Sequence, residues 1–272
     1  MSKTASPRVK IIGIVNVTPD SFADGGSFFA FEAALAQADR LIAEGADILD
    51  IGGESTRPGS DPVPLAEELR RVIPLITAIR KKSAIPISID TYKAETARQA
   101  LAAGANIIND ISALRYDSEM TRLVVESGAP VILMHMQGDP KTMQEHPVYE
   151  DVVREVGDFF REKVAALTAF GVSKDKIILD PGIGFGKTLS HNLSLLKHLD
   201  AFTGLGCRLL LAHSRKRFFG GLTGITEPAE RDLPTAVVAA LAVAKGISMV
   251  RVHNVAATRQ ALIVTEAIEA AR

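Results

Sequence analysis

Seven polar side chains of types used in binding and catalysis stand at the ends of short apolar runs in the sequence. Taken singly, an Asn or Asp in this position is as often a helix N-cap or a turn residue as a ligand-binding group. Here acidic, amide and basic side chains recur at the same position, the end of an apolar run, and this combination favours a common binding site. The seven residues are Asn16, Asp90, Asn109, Asp180, Lys216, Arg251 and His253.

The chemistry of these residues divides into two halves. Asp90, Asp180 and Asn109 offer hydrogen-bond acceptors, which suit a neutral heterocycle with amidine-like N–H donors, such as a pterin or a guanine. The second half, formed by Lys216, Arg251 and His253, offers donors for phosphate oxygens or a ring carbonyl. The pattern therefore predicts a ring pocket beside an anion pocket.

The stretch DPGIGFGKT, from Asp180 to Thr188, ends like a phosphate-binding P-loop. A P-loop requires G-x-x-x-x-G-K-[ST], and its first glycine falls here on Pro181, which has no N–H to donate. We therefore interpret Asp180 as a ligand-binding residue, with the glycines allowing a tight turn. Lys187 is expected to be a solvated charge near a helix start.

A recurring unit must position these residues: an amphipathic segment, a glycine, a short β-branched run and a polar residue. Such runs are apolar on both faces, which is typical of a buried parallel sheet alternating with helices. The glycines are expected just beyond helix ends, where a left-handed residue is needed; they are Gly45, Gly104, Gly128, Gly171 and Gly246. Strands are predicted to end near Asn16, Asp50, Asp90, Asn109, His135, Asp180, Ser214 and His253.

Eight such units in 272 residues predict an α/β protein with a single (β/α)8 TIM barrel domain. We expect residues 1–10 to form a flexible N-terminal arm and residues 11–272 to form the barrel. An open doubly wound sheet is the alternative, but the first strand leads into NVTPDSFADGG rather than a glycine-rich dinucleotide fingerprint. Two long loops, Val17 to Phe29 and Gly52 to Val63, follow strand ends and should lie on the active-site rim.

Composition excludes several classes of partner. Lys plus Arg is 31 and Asp plus Glu is 32, so no net charge favours binding to nucleic acid or to an anionic membrane. The longest apolar run, from Ala236 to Ala244, has nine residues, and a membrane span needs ~20. The single Cys207 cannot form an internal disulfide, and the start is not a secretory signal, so a cytoplasmic location is expected.

Eight motifs, in order and spread over almost the whole chain, resemble those of bacterial dihydropteroate synthases. They are GIVNVTPDSFADGG, ADILDIGGESTRPG, SIDTYKAETA, NIINDISA, VILMHMQGDPKTMQ, ILDPGIGFGKTLSHNLSLL, HSRKRFFGGLTG and RVHNV. The resemblance implies a barrel enzyme of folate biosynthesis that condenses 6-hydroxymethyl-7,8-dihydropterin diphosphate with 4-aminobenzoate and releases pyrophosphate. It further implies Mg2+ as cofactor, a homodimer and a sulfonamide target.

The resemblance also assigns site residues. The pterin would be held by Asp90, Asn109, Asp180 and Lys216, in a pocket lined by Ile111, Met134 and Phe185. Asn16, Arg251 and His253 would face the diphosphate, with Asn16 on the metal. Thr56, Arg57 and Pro58 in the second long loop would close over the reactants with Phe22 and Asp24 of the first. The resemblance makes Asp24, Thr56, Arg57 and Lys216 catalytic, and adds Ser214 and Arg217 to the substrate-binding set.

The sequence departs from the family pattern at three places. Ala212 and Arg217 replace a glycine and a small hydroxyl residue around Ser-Arg-Lys, and we expect Arg217 to point outward rather than to pair with the aminobenzoate carboxylate. Pro234 replaces a glycine, which is tolerable in a first helical turn. Asn254 replaces the usual Asp after Arg-Val-His, which removes one negative charge beside the diphosphate.

Two other functions remain open from the sequence. A pterin-binding methyltransferase barrel should lack STRPG and SRK, and both are present here. A catalytically silent pterin-binding barrel is supported only by Ala212, Arg217 and Asn254. No serine triad is predicted, because Ser214 lies in AHSRK rather than in G-x-S-x-G.

Overall fold

The computed structural model describes residues 8–17, 26–55 and 59–271, with the backbone alone for residues 26–30. The described strands are β1 (Lys10–Asn16), β2 (Ile48–Gly52), β3 (Ile87–Asp90), β4 (Ile107–Asp110), β5 (Val131–Met134), β6 (Ile177–Asp180), β7 (Arg208–Leu211) and β8 (Met249–Val252). The described helices are α1 (Gly26–Ala43), α2 (Leu65–Lys82), α3 (Ala94–Ala102), α4 (Ser118–Ser127), α5 (Val152–Ala169), α6 (Leu189–Lys197), α7 (Arg217–Thr223), α8 (Asp232–Val243) and α9 (Val255–Ala270).

The eight strands form a closed barrel in chain order, and every pair is parallel. The predicted (β/α)8 barrel is thus confirmed, and the open doubly wound sheet is excluded. The register pairs Asn16 with Gly52, Gly52 with Asp90 and Asp90 with Asn109. Strand ends that are far apart in sequence therefore meet on one rim.

The side chains that point into the barrel change from apolar to polar along its axis. At one end a closed apolar layer fills the interior, formed by Ile12, Ile48, Ile107, Ile132, Ile178, Leu210 and Met249. Two residues further along several strands, the inward positions become polar, with Asp50 on β2, Asp180 on β6 and Arg251 on β8. Because inward positions recur every second residue, the apolar layer closes the bottom and the polar positions form the mouth.

Local signals in the sequence agree with the helix boundaries. The five glycines predicted beyond helix ends, at positions 45, 104, 128, 171 and 246, all have positive φ, between 61° and 112°. Pro234 lies in the first turn of α8, as expected. Asp117, Asp151 and Asn254 are N-cap residues whose side chains accept backbone N–H groups.

Contacts at the start of β1 join the beginning of the barrel to α9 and β8. Val9 is buried and its N–H donates to the Glu266 carboxylate at 2.8 Å, and Lys10 already pairs with Met249 in the sheet. Residues 1–7 of the predicted arm lie outside the described residues. Among the described helices, none combines the length and the apolar character that crossing a bilayer requires.

Candidate active site

A cavity of about 750 Å³ opens at the carboxyl ends of the strands. Its walls include many of the residues predicted for the site, drawn from five different strands and the loops that follow them: Asn16, Asp90, Phe185, Ser214, Lys216, Arg217, Arg251 and His253. The volume is in the range that encloses a small organic ligand. Most of the predicted ring and anion ligands therefore do meet in one cavity.

Four other predicted residues, Asn109, Ile111, Met134 and Asp180, are buried and do not line the open cavity. The three apolar pocket residues nevertheless pack together: Ile111, Met134 and Phe185 belong to one small cluster, completed by Met136 and Met143. Phe185 lines the cavity as well, so the cluster forms an apolar floor next to the polar mouth.

Arg251 is the centre of a charged network that links the buried residues to the cavity. Its Nε donates to Asp50 Oδ2 at 2.6 Å and its Nη2 donates to Asp90 Oδ2 at 2.7 Å. Asn109 Nδ2 donates to the same Asp50 oxygen at 3.1 Å. The fork geometry of a guanidinium allows one side chain to hold two carboxylates at fixed positions, so Arg251 sets the orientation of Asp90.

Asp50 is a site residue that the sequence prediction left out. It is fully buried, and its Oδ1, like the hydroxyl of Ser88 opposite it on β3, has no hydrogen-bond partner among the described residues. The signal was present in the sequence: a carboxylate in the middle of a five-residue strand that is buried throughout is costly unless it holds a charged partner. That partner, Arg251, lies 201 positions further along the chain.

Burial raises the pKa of both acidic residues of the predicted ring pocket. For Asp90, desolvation outweighs the opposing charge of Arg251 and raises the pKa to about 7. For Asp180, desolvation raises the pKa to about 6, against the hydrogen bond from Gly182 N at 2.9 Å and the charge of Lys216. Both carboxyls thus change protonation close to neutral pH.

Lys187 was wrongly predicted to be a solvated charge. Its side chain is buried, and its Nζ lies 3.0 Å from His135 Nδ1, 2.9 Å from the Phe185 carbonyl and 3.3 Å from the His135 carbonyl. Burial lowers the pKa of His135 so that its ring is neutral and Nδ1 can accept. Three acceptors surround one amine, which accounts for its position inside the protein. The sequence around Lys187 does not predict these acceptors, because they come together only when the loops after β5 and β6 fold.

The two loops that Lys187 joins approach each other very closely. A Cβ atom built on Gly182 would lie 1.9 Å from the His135 carbonyl oxygen, and one on Gly186 would lie 2.5 Å from the Gln137 carbonyl oxygen. Both glycines also have positive φ. The glycines of DPGIGFGKT therefore permit contact with the β5 loop, which brings Phe185 to the cavity.

Lys187 should make the stability of the protein depend on pH in the alkaline range. Burial lowers its pKa to about 7, whereas in the unfolded chain the pKa is near 10.5. Between these values the unfolded chain binds more protons, so stability should rise with pH. The difference in unfolding free energy, wild type minus Lys187→Met, should therefore increase with pH. We expect an increase of up to about 1.4 kcal/mol per pH unit from pH 7.5 to 9.5.

Urea unfolding of both proteins across this range measures the difference. The matched control is Lys197→Met, which replaces an exposed lysine on α6 and should give curves parallel to the wild type. Parallel curves for Lys187→Met as well would contradict the lowered pKa.

The basic side of the cavity is formed by the loop after β7 and the end of β8. Ser214 Oγ lies 2.8 Å from His253 Nδ1 and also accepts the His253 N–H at 3.1 Å. Lys216 Nζ lies 3.9 Å from the centre of the Phe185 ring, a cation–π contact. Lys216 therefore lies between the apolar floor and the basic wall.

Two residues that depart from the family pattern, Arg217 and Asn254, lie at different places relative to the cavity. Arg217 is exposed at the edge of the cavity, which agrees with the outward orientation expected for it. Asn254 lies outside the cavity lining: its side chain caps α9 by accepting the Ala257 N–H at 3.0 Å and donates to Asp232 at 2.9 Å. His135 is buried against Lys187.

Five of the predicted site residues lie outside the described residues. They are Phe22 and Asp24 of the first long loop and Thr56, Arg57 and Pro58 of the second. The adjoining ends are described: Asn16 ends β1, and Glu54 and Ser55 line the cavity.

The sequence matches the family model of pterin binding enzymes over residues 12–253. Dihydropteroate synthase from Synechocystis is 46% identical over 261 residues, covering 96% of this chain and 90% of the relative. Dihydropteroate synthase from Streptococcus pyogenes is 49% identical, covering 93% of each chain. The match to the family model includes every strand end that contributes to the cavity.

Solved structures of similar proteins share the architecture. Xanthomonas albilineans dihydropteroate synthase with 4-aminobenzoic acid superimposes with a TM-score of 0.92 at 47% identity, covering 97% of this chain and 94% of that one. The same enzyme in complex with 7,8-dihydropteroate gives 0.89 at 45% identity, with 97% and 95% covered. A Yersinia pestis dihydropteroate synthase–sulfonamide complex gives 0.91 at 41% identity, with 97% and 95% covered. The chain belongs to the pterin-binding enzyme family and, within it, to the dihydropteroate synthases.

Proposed function

We propose that the chain condenses 6-hydroxymethyl-7,8-dihydropterin diphosphate with 4-aminobenzoate to give 7,8-dihydropteroate and pyrophosphate. The observation that carries the proposal is the Arg251 network, in which one guanidinium at the cavity wall holds the carboxylates of Asp50 and Asp90. Related structures bound to 4-aminobenzoic acid and to 7,8-dihydropteroate support the same substrates for this chain.

The pterin half of the substrate would bind in the acidic pocket. Asp180, Asp90 and Asn109 would accept or pair with its N–H groups, and Phe185 would pack against the ring. Lys216, whose ammonium already lies over Phe185, would donate to a ring acceptor. Such a pocket should discriminate strongly between rings with and without N–H donors. A ring that lacks the donors would leave the buried carboxylates unpaired.

The diphosphate is a good leaving group on a methylene attached to an electron-rich ring. Cleavage of the C–O bond can therefore precede attack, with positive charge delocalised into the dihydropterin. Arg251 and His253 would stabilise the negative charge that grows on the departing diphosphate. The arylamine nitrogen of 4-aminobenzoate is already a nucleophile and attacks the methylene carbon, so no strong general base is required.

The barrel mouth fits a Mg2+ ion held mainly by substrate. Among the described residues no group of three acidic, His or Cys side chains could hold a metal alone. Mg2+ commonly takes one or two protein oxygens and completes its shell with phosphates and water. Asn16 offers such an oxygen, and the missing side chain of Gly52 leaves room beside it: a Cβ there would lie 3.6 Å from Asn16 Oδ1 and 3.4 Å from Asp90 Cβ. Bound there, Mg2+ would neutralise charge on the diphosphate.

The two long loops and the segment after β7 would supply the other residues of the site. Asp24, Thr56 and Arg57 would act as catalytic residues with Lys216, and Phe22 and Pro58 would cover the reactants. Ser214 would bind the second substrate near its carboxylate, with Arg217 pointing outward at the edge of the same cavity. A cytoplasmic location is proposed for the enzyme, and a single half-buried Cys207 is compatible with it.

A coupled assay for pyrophosphate release tests the proposed reaction. Release should require or rise with 4-aminobenzoate when the dihydropterin diphosphate is present. A methyltransferase barrel or a silent pterin-binding barrel would bind a pterin and release no pyrophosphate under the same conditions. Absence of 4-aminobenzoate-dependent release would therefore overturn the proposal.

Exposed apolar side chains on α8 and α9 support a homodimer. The two helices pack side by side, and their outer faces carry Leu233, Val237, Leu241, Ile263, Val264 and Ile268, with side chains 48–74% exposed. A contiguous apolar patch of this kind marks an interaction surface. We expect the wild type to sediment at twice the 29.1 kDa chain mass.

Leu241→Glu should shift the protein to monomer, because it places a charge in the centre of the patch. The matched control is Leu222→Glu, at an exposed leucine on α7, which should remain dimeric. A monomeric wild type, or a dimer insensitive to Leu241→Glu, would contradict this assignment.

A further inference from the structure

The segment after β7 contains a residue in an unfavourable backbone conformation between two proposed ligands. Arg215 has a φ of 57°, in the left-handed region that is unfavourable for a non-glycine residue. Its neighbours in the chain are Ser214 and Lys216, both of which line the cavity. Whatever holds Arg215 in this conformation also sets the direction of those two side chains.

The start of α8 supplies these contacts. Arg215 Nε donates to Asp232 Oδ1 at 2.6 Å and Nη2 donates to Asp232 Oδ2 at 2.8 Å, a two-pronged pairing that fixes the plane of the guanidinium. The backbone N–H of Arg215 donates to Thr235 Oγ1 at 3.1 Å, and Arg231 Nη1 donates to the Arg215 carbonyl at 3.2 Å. The side chain and the backbone of Arg215 are thus held by three residues within positions 231–235.

Asn254 completes this arrangement and does so as an amide. Its Nδ2 donates to Asp232 Oδ2 at 2.9 Å, while its Oδ1 accepts the Ala257 N–H at the start of α9. An aspartate at 254 would keep the N-cap, since Asp caps helices as well as Asn. It would also place a second carboxylate against that of Asp232. The pKa of Asp232 is lowered, because the hydrogen bonds from Arg215 and Asn254 outweigh the effect of burial, so its carboxylate is charged in the neutral range.

We propose that Asp232 is the positioning residue for the Ser214–Lys216 segment, and that Asn254 must be an amide because the negative charge is carried at 232. The inference rests on the proposed function, in which Ser214 and Lys216 bind substrate. It reverses the expectation from family resemblance, by which aspartate at 254 is the usual residue. Restoring that aspartate alone should therefore damage this chain.

Steady-state kinetics on the full-length chain test this with four variants, each measured where circular dichroism shows it folded. We expect Asn254→Asp and Asp232→Asn each to lower kcat/KM about tenfold, within the range of coupling seen for residues in one hydrogen-bonded network. The double variant Asp232→Asn/Asn254→Asp keeps one carboxylate and one amide, so it should be more active than either single variant. Asn254→Ser keeps the cap without adding charge and should lose less activity than Asn254→Asp.

The exposed Asp200→Asn on the barrel surface is the control and should match the wild type. The proposal is overturned if Asn254→Asp is as active as the wild type, or if the losses of the two single variants simply multiply in the double variant. Failure of the proposed function is distinguished from both, because it appears as a wild type that releases no pyrophosphate.

Discussion

Asp180→Asn should abolish tight binding of the pterin while leaving the fold intact. The side chain is buried at the end of β6, and its Oδ1 accepts the Gly182 N–H at 2.9 Å. An asparagine can keep this bond, so the loop after β6 should retain its conformation. The second oxygen becomes an NH2 group, however, and then faces ring N–H donors with another donor. We expect the dissociation constant for a dihydropterin to rise by roughly 30-fold to 1,000-fold, which corresponds to about 2–4 kcal/mol.

Titration calorimetry with 6-hydroxymethyl-7,8-dihydropterin measures this change, and thermal unfolding checks that the fold is retained. Asp175→Asn is the matched control, since Asp175 is an exposed residue just before the same strand. Unchanged affinity in Asp180→Asn would contradict the assignment of Asp180 to the ring pocket.

Arg251→Met should cause the largest loss of stability of any single change in the site. The variant removes the cation shared by Asp50 and Asp90, and Asp50 is fully buried with one oxygen already lacking a partner among the described residues. Removing one partner of a buried ion pair leaves uncompensated charge and costs roughly 3–5 kcal/mol. Urea unfolding at pH 7 should show a decrease of this size, whereas Arg122→Met at an exposed ion pair should change little.

The stability loss caused by Arg251→Met should also depend on pH. The pKa of Asp90 is already raised by burial to about 7 against the charge of Arg251, and removing Arg251 should raise it further. A carboxyl whose pKa is higher in the folded state stabilises at low pH and loses that contribution as pH rises through the folded pKa. The stability deficit of Arg251→Met should therefore be smaller at pH 5 than at pH 8. A deficit independent of pH would contradict the raised pKa of Asp90 and its dependence on Arg251.

The barrel itself was predictable because its signals are local and repeated. Short β-branched runs, glycines beyond helix ends and polar residues at strand ends each report on their own segment, and parallel register then brings Asn16, Asp90 and Asn109 to one rim. A position at the carboxyl end of a strand is enough to place a residue in the mouth of such a barrel.

The parts that could not be predicted depend on contacts between distant segments. Lys187 is buried because three acceptors from two loops surround its amine, and only the folded loops provide them. Asp50 was visible as a buried carboxylate, but its role required knowing that Arg251 points at it across the barrel. Asp232 gave no signal at all, since its importance arises from pairing with Arg215 and Asn254.

A crystal structure of the protein soaked with 6-hydroxymethyl-7,8-dihydropterin diphosphate shows directly whether one barrel mouth binds both the ring and the diphosphate. We expect the bicyclic ring to lie between Lys216 on one side and Asp180, Asp90 and Asn109 on the other. The diphosphate should lie against Asn16, Arg251 and His253. A ligand whose ring lies outside the Asp180 pocket, or whose diphosphate makes no contact with Arg251 or His253, would contradict it.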